Sequence, residues 1–388
     1  MAQPKIPVNL ILKDLTREAN SAQMRMDKAS DVLLGDLNTD IATTPYEVVY
    51  QQDRVKLKHY KPIKRKAFQT PLLIVYALIN RETMLDLSPG RSVVENFLNQ
   101  GVDVYMIDWG YPTRKDRYLG IDDHVNVYIN DIVDFIRERE EVAKINLMGI
   151  CMGGTFSIMY SALHPEKVQN LITTVTPTQF DIKTGLLNLW MRKFPVDQIT
   201  DTYGNIPGDL LNFGFLMLNP AQLMIDKYVK FQEQLDDKEF VENFIRMERW
   251  IFDSPDIPGE TFREFVKDCF QENLLIQNKM KVGGELIDLK KLTMPVLNIY
   301  GKFDHLVPPE ACEEFTGKVG SKDTEDLCLK TGHIGIYVSS KCQQAFVPKI
   351  TQWLKDRETQ NESTSKNKAN TTKSETSTQL KTVNAAAG

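Results

Sequence analysis

The sequence predicts an α/β protein: a mostly parallel, doubly wound sheet, helices on both faces, and a helical cap inserted before the last strands. Three observations carry this expectation. Apolar runs at 72–76, 102–107, 145–150, 168–175 and 295–300 show little alternation, as strands covered by helices on both faces should. Helix-compatible amphipathic stretches separate the first four, so strand and helix alternate along the chain. Residues 178–290 then break that rhythm with helical periodicity, many Leu, Phe, Met and Trp, and no clear strand, which reads as a cap inserted between two strands.

Each element follows in order. Residues 1–45 read as an N-terminal helical segment, with Leu10, Leu15, Met24, Val32 and Leu33 recurring among charges. Residues 46–50 and 55–60 alternate apolar and polar side chains and read as an antiparallel hairpin. The basic cluster at 61–66 reads as a solvated loop. The core then occupies 46–177, with helices expected at 90–100 and 125–139; Val127, Ile129, Ile132, Val133 and Ile136 form the expected buried stripe of the second. The cap spans 178–290, and Phe213, Phe244, Trp250 and Phe252 either line an acyl-binding channel or form the cap's own core. The core resumes over 291–356, with a short strand at 327–329 and an amphipathic helix at 344–355. The tail 357–388 is Ser, Thr, Asn, Lys and Gln without an aromatic residue, and should be disordered because it has too little apolar surface to fold.

Composition narrows the function classes. A 388-residue chain with 42% hydrophobic and 26% charged residues is ordinary for a globular protein, and a net charge of −5 gives no reason to expect a nucleic-acid partner. The five cysteines, Cys151, Cys269, Cys312, Cys328 and Cys342, form no C-x-x-C pair, so reduced thiols and a cytoplasmic location are expected. The first residues lack the pattern of a signal peptide, and no stretch reads as a transmembrane helix.

The chemistry centres on Gly149-Ile150-Cys151-Met152-Gly153-Gly154. An apolar strand runs into this turn and a helix-compatible segment follows from about Thr155 to Leu163, the setting of a nucleophile elbow with Cys in place of Ser. Gly149 and Gly153 flank the cysteine at ±2 and remove side chains that would collide on a tight turn. A cysteine at a helix N-terminus is also favoured as thiolate. Read alone, the motif favours a catalytic cysteine over a buried structural one among packing glycines. Its partners strengthen that. Asp304 and His333 follow in the chain order of α/β-hydrolase triads, nucleophile, acid, histidine, each just after a strand. His333 would take the thiol proton and Asp304 would orient the imidazole. Met152 N–H is the expected first oxyanion-hole donor; the second should come from the loop after the 72–76 strand, around Leu78-Ile79, with Ile79 as the candidate. His305 is either a ligand contact or a loop residue, and His59, His124 and His164 show no matching partners. No metal-ligand spacing, phosphate loop or dinucleotide fingerprint occurs, and acyl transfer by this group needs no cofactor.

These residues carry a resemblance. Residues 71–80 with Met84-Leu85-Asp86-Leu87, Asp108-Trp109-Gly110, Gly149 to Gly154, Gly301-Lys302-Phe303-Asp304 and Gly332-His333-Ile334-Gly335 together resemble a polyhydroxyalkanoate synthase. Length and the Thr44-Pro45-Tyr46 and Lys58-His59-Tyr60-Lys61-Pro62 segments resemble the short catalytic subunits of class III, with class IV close behind. The resemblance implies an α/β-hydrolase fold and polymerisation of (R)-3-hydroxyacyl-CoA into polyester with release of CoA. It also implies a second, non-catalytic subunit, a homodimer, and association with polyester granules. By this resemblance Cys151 holds the growing chain as a thioester and His333 activates it. Asp304 in this family is often credited with activating the substrate hydroxyl, which leaves its role open between that and orienting His333. Trp250 matches a family tryptophan and touches substrate or partner, or is structural; Asp108 is a further candidate at the substrate. The reading from another class is a Cys-dependent hydrolase (esterase, thioesterase or lactone hydrolase), in which water replaces the hydroxyacyl acceptor.

Overall fold

A computed structural model describes residues 24, 28–64, 66–339 and 341–358. Ten strands occur among them: β1 (Glu47–Gln52), β2 (Val55–Tyr60), β3 (Leu72–Val75), β4 (Val104–Asp108), β5 (Ile145–Ile150), β6 (Val168–Thr174), β7 (Lys281–Val282), β8 (Glu285–Leu286), β9 (Val296–Gly301) and β10 (Thr324–Leu329). Eight of them form one sheet in the order β1-β2-β4-β3-β5-β6-β9-β10. From β4 to β10 every pairing is parallel, and β1 and β2 join one edge antiparallel. Because the parallel strands share a direction, the loops at their C-terminal ends converge on one edge. The candidate catalytic residues lie on that edge.

The hairpin turns through Asp53, whose φ of 53° is left-handed, so the connection is tighter than the four-residue loop expected. β2 also departs from alternation: all its residues except Lys56 are buried. Lys58 and His59 can face inward because each meets a carboxylate, Lys58 at Glu82 and His59 at Asp103 (2.7 Å). A buried charge is tolerated when it is paired.

Helix α1 (Val93–Asn99) is capped by Ser92, whose hydroxyl accepts from the Glu95 amide at 2.9 Å. Helix α2 (Asn130–Arg139) continues a π-helical stretch, Asp123–Ile129. Ile129, Ile132, Val133 and Ile136 are buried as expected, but Val127 is exposed. The wider π-turn shifts the register of side chains upstream of α2, so a 3.6-residue period misplaces Val127. Helix α3 (Met152–Leu163) starts immediately after Cys151, earlier than expected, and Met152 through Ala162 are all buried.

Between β6 and β9 lie α4 (Leu186–Met191), α5 (Val196–Tyr203), α6 (Gly208–Leu216), α7 (Lys227–Glu233), α8 (Lys238–Phe252) and α9 (Gly259–Glu264). The segment also contains the β7–β8 hairpin, so it is not wholly helical. The cap aromatics divide. Phe231 stacks on Phe244 at 4.0 Å within the cap, while Phe213 and Phe252 are exposed. A single turn, α10 (Gly335–Val338), follows His333, and α11 spans 341–358. α11 outruns its expected end; Arg357 lies inside it and donates to Asp323 at 2.9 Å. β10 is twice as long as expected because its exposed edge position makes it alternate. Of the expected N-terminal segment, residues 28–34 are helical, and 1–23 and 25–27 lie outside the described residues, as does the tail from 359. Among the described residues no helix is long and apolar enough to cross a membrane.

Candidate active site

Cys151 occupies the turn between β5 and α3 with φ 52° and ψ −123°, a conformation that costs a non-glycine residue about 1–3 kcal/mol. Its amide donates to the Thr174 carbonyl at 2.9 Å, and its own carbonyl accepts from Gly154 and Thr155 at 2.9 and 3.1 Å. Three glycines make room for this turn. A Cβ on Gly149 would strike Gly154 and Ser157, one on Gly153 the carbonyls of Val75 and Tyr76, and one on Gly154 the Thr176 side chain. The helix start is thus pressed onto the end of β3 and the chain leaving β6.

Asp304 follows β9 and is buried. Its Oδ1 accepts from the amides of Leu306 (2.9 Å) and Val307 (2.8 Å), and its Oδ2 accepts from His333 Nδ1 at 2.7 Å. His333 follows β10, and the Cys151 side chain is one of the groups that act on its ring. Burial opposes a charge on this imidazole, but the Asp304 carboxylate, its hydrogen bond and the Cys151 contact outweigh burial and push His333 up to about 10. Imidazole and carboxylate are therefore hydrogen-bonded, with Cys151 near enough to act on the ring.

Met152 is the first residue of α3, and the first N–H groups of a helix have no intrahelical acceptor. Ile79 lies in the loop after β3, half-buried against the core. Gly153 packs on that loop's first carbonyls, so the two candidate donors come from segments in direct contact. An apolar group beside Cys151 comprises Ile182, Tyr300, Leu306, Val307, Ala311 and Cys312.

The remaining candidates are placed differently. Asp108, a candidate at the substrate, has its oxygens engaged by Lys58 (3.0 Å), Arg81 (3.2 Å) and the Gly110 amide (3.0 Å), partners that a buried carboxylate needs. Trp250 is buried, and its indole N–H donates to the Arg81 carbonyl at 2.8 Å, making it a strut between α8 and the loop after β3. His305 is exposed beside Asp304. Tyr337 escaped the sequence reading: its buried hydroxyl meets Thr174 Oγ1 at 2.8 Å and so joins the His333 loop to the residue that holds the Cys151 amide. It reads locally as one more apolar residue after Gly335-Ile336, and nothing in the sequence singles it out.

The curated relatives settle the family. A poly(3-hydroxyalkanoate) polymerase subunit PhaC from Allochromatium vinosum is 46% identical over 90% of this chain and 99% of its own. The chain belongs to the poly(3-hydroxyalkanoate) polymerase family. A polymerase subunit PhaC from Synechocystis is 45% identical over 83% of this chain and 88% of its own. Within the polymerase family match, residues 7–97 fit the model of the poly-beta-hydroxybutyrate polymerase (PhaC) N-terminus, and residues 70–339 fit the alpha/beta hydrolase fold. The monoacylglycerol lipase of Paleococcus ferrophilus shares that fold at a TM-score of 0.51 and 15% identity, covering 78% of this chain and 99% of its own.

One further cluster lies far from this site. His59, Asp103 and Glu140 offer ligand atoms within 4.8 Å of one another, at the opposite sheet edge from Cys151. Lys66 already supplies their cation, at 2.7 Å from Asp103 and 2.9 Å from Glu140. His59, without a partner in the sequence reading, has one here in Asp103.

Proposed function

We propose that this polymerase-family chain is the catalytic subunit that joins (R)-3-hydroxyacyl units from CoA thioesters into polyester, with Cys151 as nucleophile. The observation that carries the proposal is the 2.7 Å His333–Asp304 hydrogen bond set beside Cys151 on its strand–turn–helix junction, with His333 pushed up to about 10. His333 holds the proton that the sulfur gives up as it attacks. The thiolate attacks the thioester carbonyl, a new C–S bond forms, and the bond to CoA breaks. CoA departs with the His333 proton. The neutral imidazole then takes the proton of an incoming 3-hydroxyl as its oxygen attacks the Cys151 thioester. An ester C–O bond forms, the C–S bond breaks, and the thiolate–imidazolium pair is restored. Each turn of this cycle balances.

The placement of Asp304 supports an orienting role. Both its oxygens are engaged, and its side chain is fully buried away from an incoming hydroxyl. Met152 and Ile79 N–H would hold the oxyanion. No cofactor enters the cycle. A second, non-catalytic subunit, a homodimer and a granule surface belong to this proposal through the family likeness alone.

The test is incubation of the chain with 3-hydroxybutyryl-CoA, with and without its candidate partner subunit. CoA release together with insoluble polymer, both lost in Cys151→Ala, supports the proposal. Soluble 3-hydroxy acid in place of polymer makes the chain a hydrolase. Full CoA release by Cys151→Ala rejects the nucleophile.

A further inference from the structure

The residue after Ile79 is Asn80, and its backbone φ is 58°. Side chains of L-residues rarely hold this left-handed region, although Asn tolerates it better than most. The side chain shows what keeps it there. Asn80 Nδ2 donates to Ser254 Oγ at 2.5 Å and points at Asn212 Oδ1 (3.4 Å) and the Ile251 carbonyl (3.5 Å). All three acceptors belong to the cap. They are themselves cross-linked: Asn212 Nδ2 donates to the Ile251 carbonyl at 2.6 Å and to Ser254 Oγ at 3.0 Å, and Ser254 Oγ donates to the Ile251 carbonyl at 3.2 Å. The next residue repeats the pattern. The Arg81 carbonyl accepts from the Trp250 indole at 2.8 Å, and its guanidinium reaches Asp253 at 3.5 Å.

We propose that Asn80 is a positioning residue through which the seated cap, by Ser254, Asn212 and Ile251, sets the loop that supplies the second oxyanion donor. The loop is held by the core at both ends, since Arg81 pairs with Asp108 and Glu82 with Lys58 just beyond it, and by the cap between them. Its start is fixed by core packing, since Gly153 presses on the carbonyls of Val75 and Tyr76 and the Tyr76 carbonyl accepts from the Trp109 indole at 2.9 Å. At Asn80 the side-chain hydrogen bonds go to the cap. A cap that lifts removes them together, and the left-handed turn at Asn80 then loses its side-chain hydrogen bonds. The Ile79 N–H, one residue upstream, turns with it. The oxyanion hole is therefore complete only over a closed site, where water is excluded from the Cys151 thioester. Such an arrangement protects an acyl-enzyme that water would otherwise hydrolyse before the next hydroxyl arrives. The inference rests on the acyl-transfer reading of Cys151 given above.

Two variants and two reactions test it. Asn80→Gly keeps the backbone conformation accessible and removes the side chain. Ser254→Ala removes the nearest acceptor from the cap side and leaves the loop's own sequence intact. Acylation of Cys151 by 3-hydroxybutyryl-CoA, read as the burst of CoA release, develops an oxyanion; alkylation of the same sulfur by iodoacetamide does not. The expected result is acylation slowed by roughly 10- to 100-fold in both variants, short of the full loss of one oxyanion donor, with alkylation held within about twofold. Retained alkylation also shows that the site is folded. The inference is overturned if acylation stays within about twofold of the parent, or if both reactions slow in parallel as general loosening would make them. Its failure is separable from that of the acyl-transfer reading. An inactive Cys151→Ala beside unimpaired Asn80→Gly and Ser254→Ala rejects only the inference, whereas an active Cys151→Ala rejects the reading beneath it.

Discussion

A histidine pushed up to about 10 by its buried carboxylate partner favours a neighbour that can carry negative charge. Sulfur can carry a negative charge beside an imidazolium at neutral pH; a serine hydroxyl cannot, and would wait for a base that is already protonated. Cys151→Ser is therefore expected to slow CoA release by roughly 100-fold or more at neutral pH, and polymerisation at the parent rate would refute the ion-pair account. Asp304 supplies the largest of the effects that raise His333. In Asp304→Asn the alkaline limb of the rate profile should move from about 10 toward the ordinary histidine value of 6.5, measured as CoA release against pH. The same shift has a sign in stability. A group whose pKa is raised on folding stabilises the fold in full below its unfolded value and loses that contribution as pH rises through the folded one. The urea-unfolding gap between the parent and Asp304→Asn should thus be widest below 6.5 and shrink as pH passes about 10.

At the scale of elements, the strand–turn–helix unit from β5 to α3 depends on contacts that glycine alone permits. A methyl group on Gly154 would lie 2.8 Å from Thr176 Cβ and closer still to its hydroxyl, with β6 behind it. Gly154→Ala is expected to destabilise by about 1–3 kcal/mol, read from the urea midpoint, and to displace Cys151. Gly214, within α6, is the opposite case: nothing lies within 4 Å of an added Cβ, so Gly214→Ala should stabilise by about 0.5–1 kcal/mol. This contrast also marks what was legible in the sequence. β5 announced itself because a strand buried on both faces is apolar throughout, and Cys151, Asp304 and His333 could be paired because parallel strands deliver their following loops to one edge. Where a local period failed, a nonlocal cause had intervened. The π-turn moved Val127 outward, and buried carboxylates drew Lys58 and His59 inward. The contacts of Asn80 with Asn212 and Ser254 join residues 132 and 174 positions apart, each ordinary in its own neighbourhood, so no window of sequence could have shown them.

Across the whole molecule, one buried charge cluster ties together the hairpin, the parallel sheet and the cap. Lys58 of β2 lies 2.5 Å from Glu82, in the turn beyond the oxyanion loop, and 3.0 Å from Asp108 at the end of β4. Arg81 bridges the same two carboxylates at 3.3 and 3.2 Å and reaches out to Asp253 of the cap. Burial opposes the Lys58 charge, yet Glu82 and Asp108 outweigh it and raise the ammonium above its ordinary value. Burial likewise opposes the Asp108 charge, and Lys58 and Arg81 outweigh it, holding the carboxyl below its ordinary 3.8. A depressed carboxylate stabilises the fold in full above its unfolded value and loses that stability as pH falls through the folded one. Lys58→Met keeps the volume but leaves two buried carboxylates to share Arg81, and should destabilise by about 3–5 kcal/mol at neutral pH. Without the lysine, Asp108 loses its first attractive partner and protonates more readily. The acid-unfolding midpoint, followed by circular dichroism, should therefore lie at higher pH in Lys58→Met than in the parent. An unchanged midpoint would mean that Arg81 alone holds both carboxylates. The hairpin, which Lys58 joins to this cluster, would then be held to the sheet by strand pairing and apolar packing instead of charge.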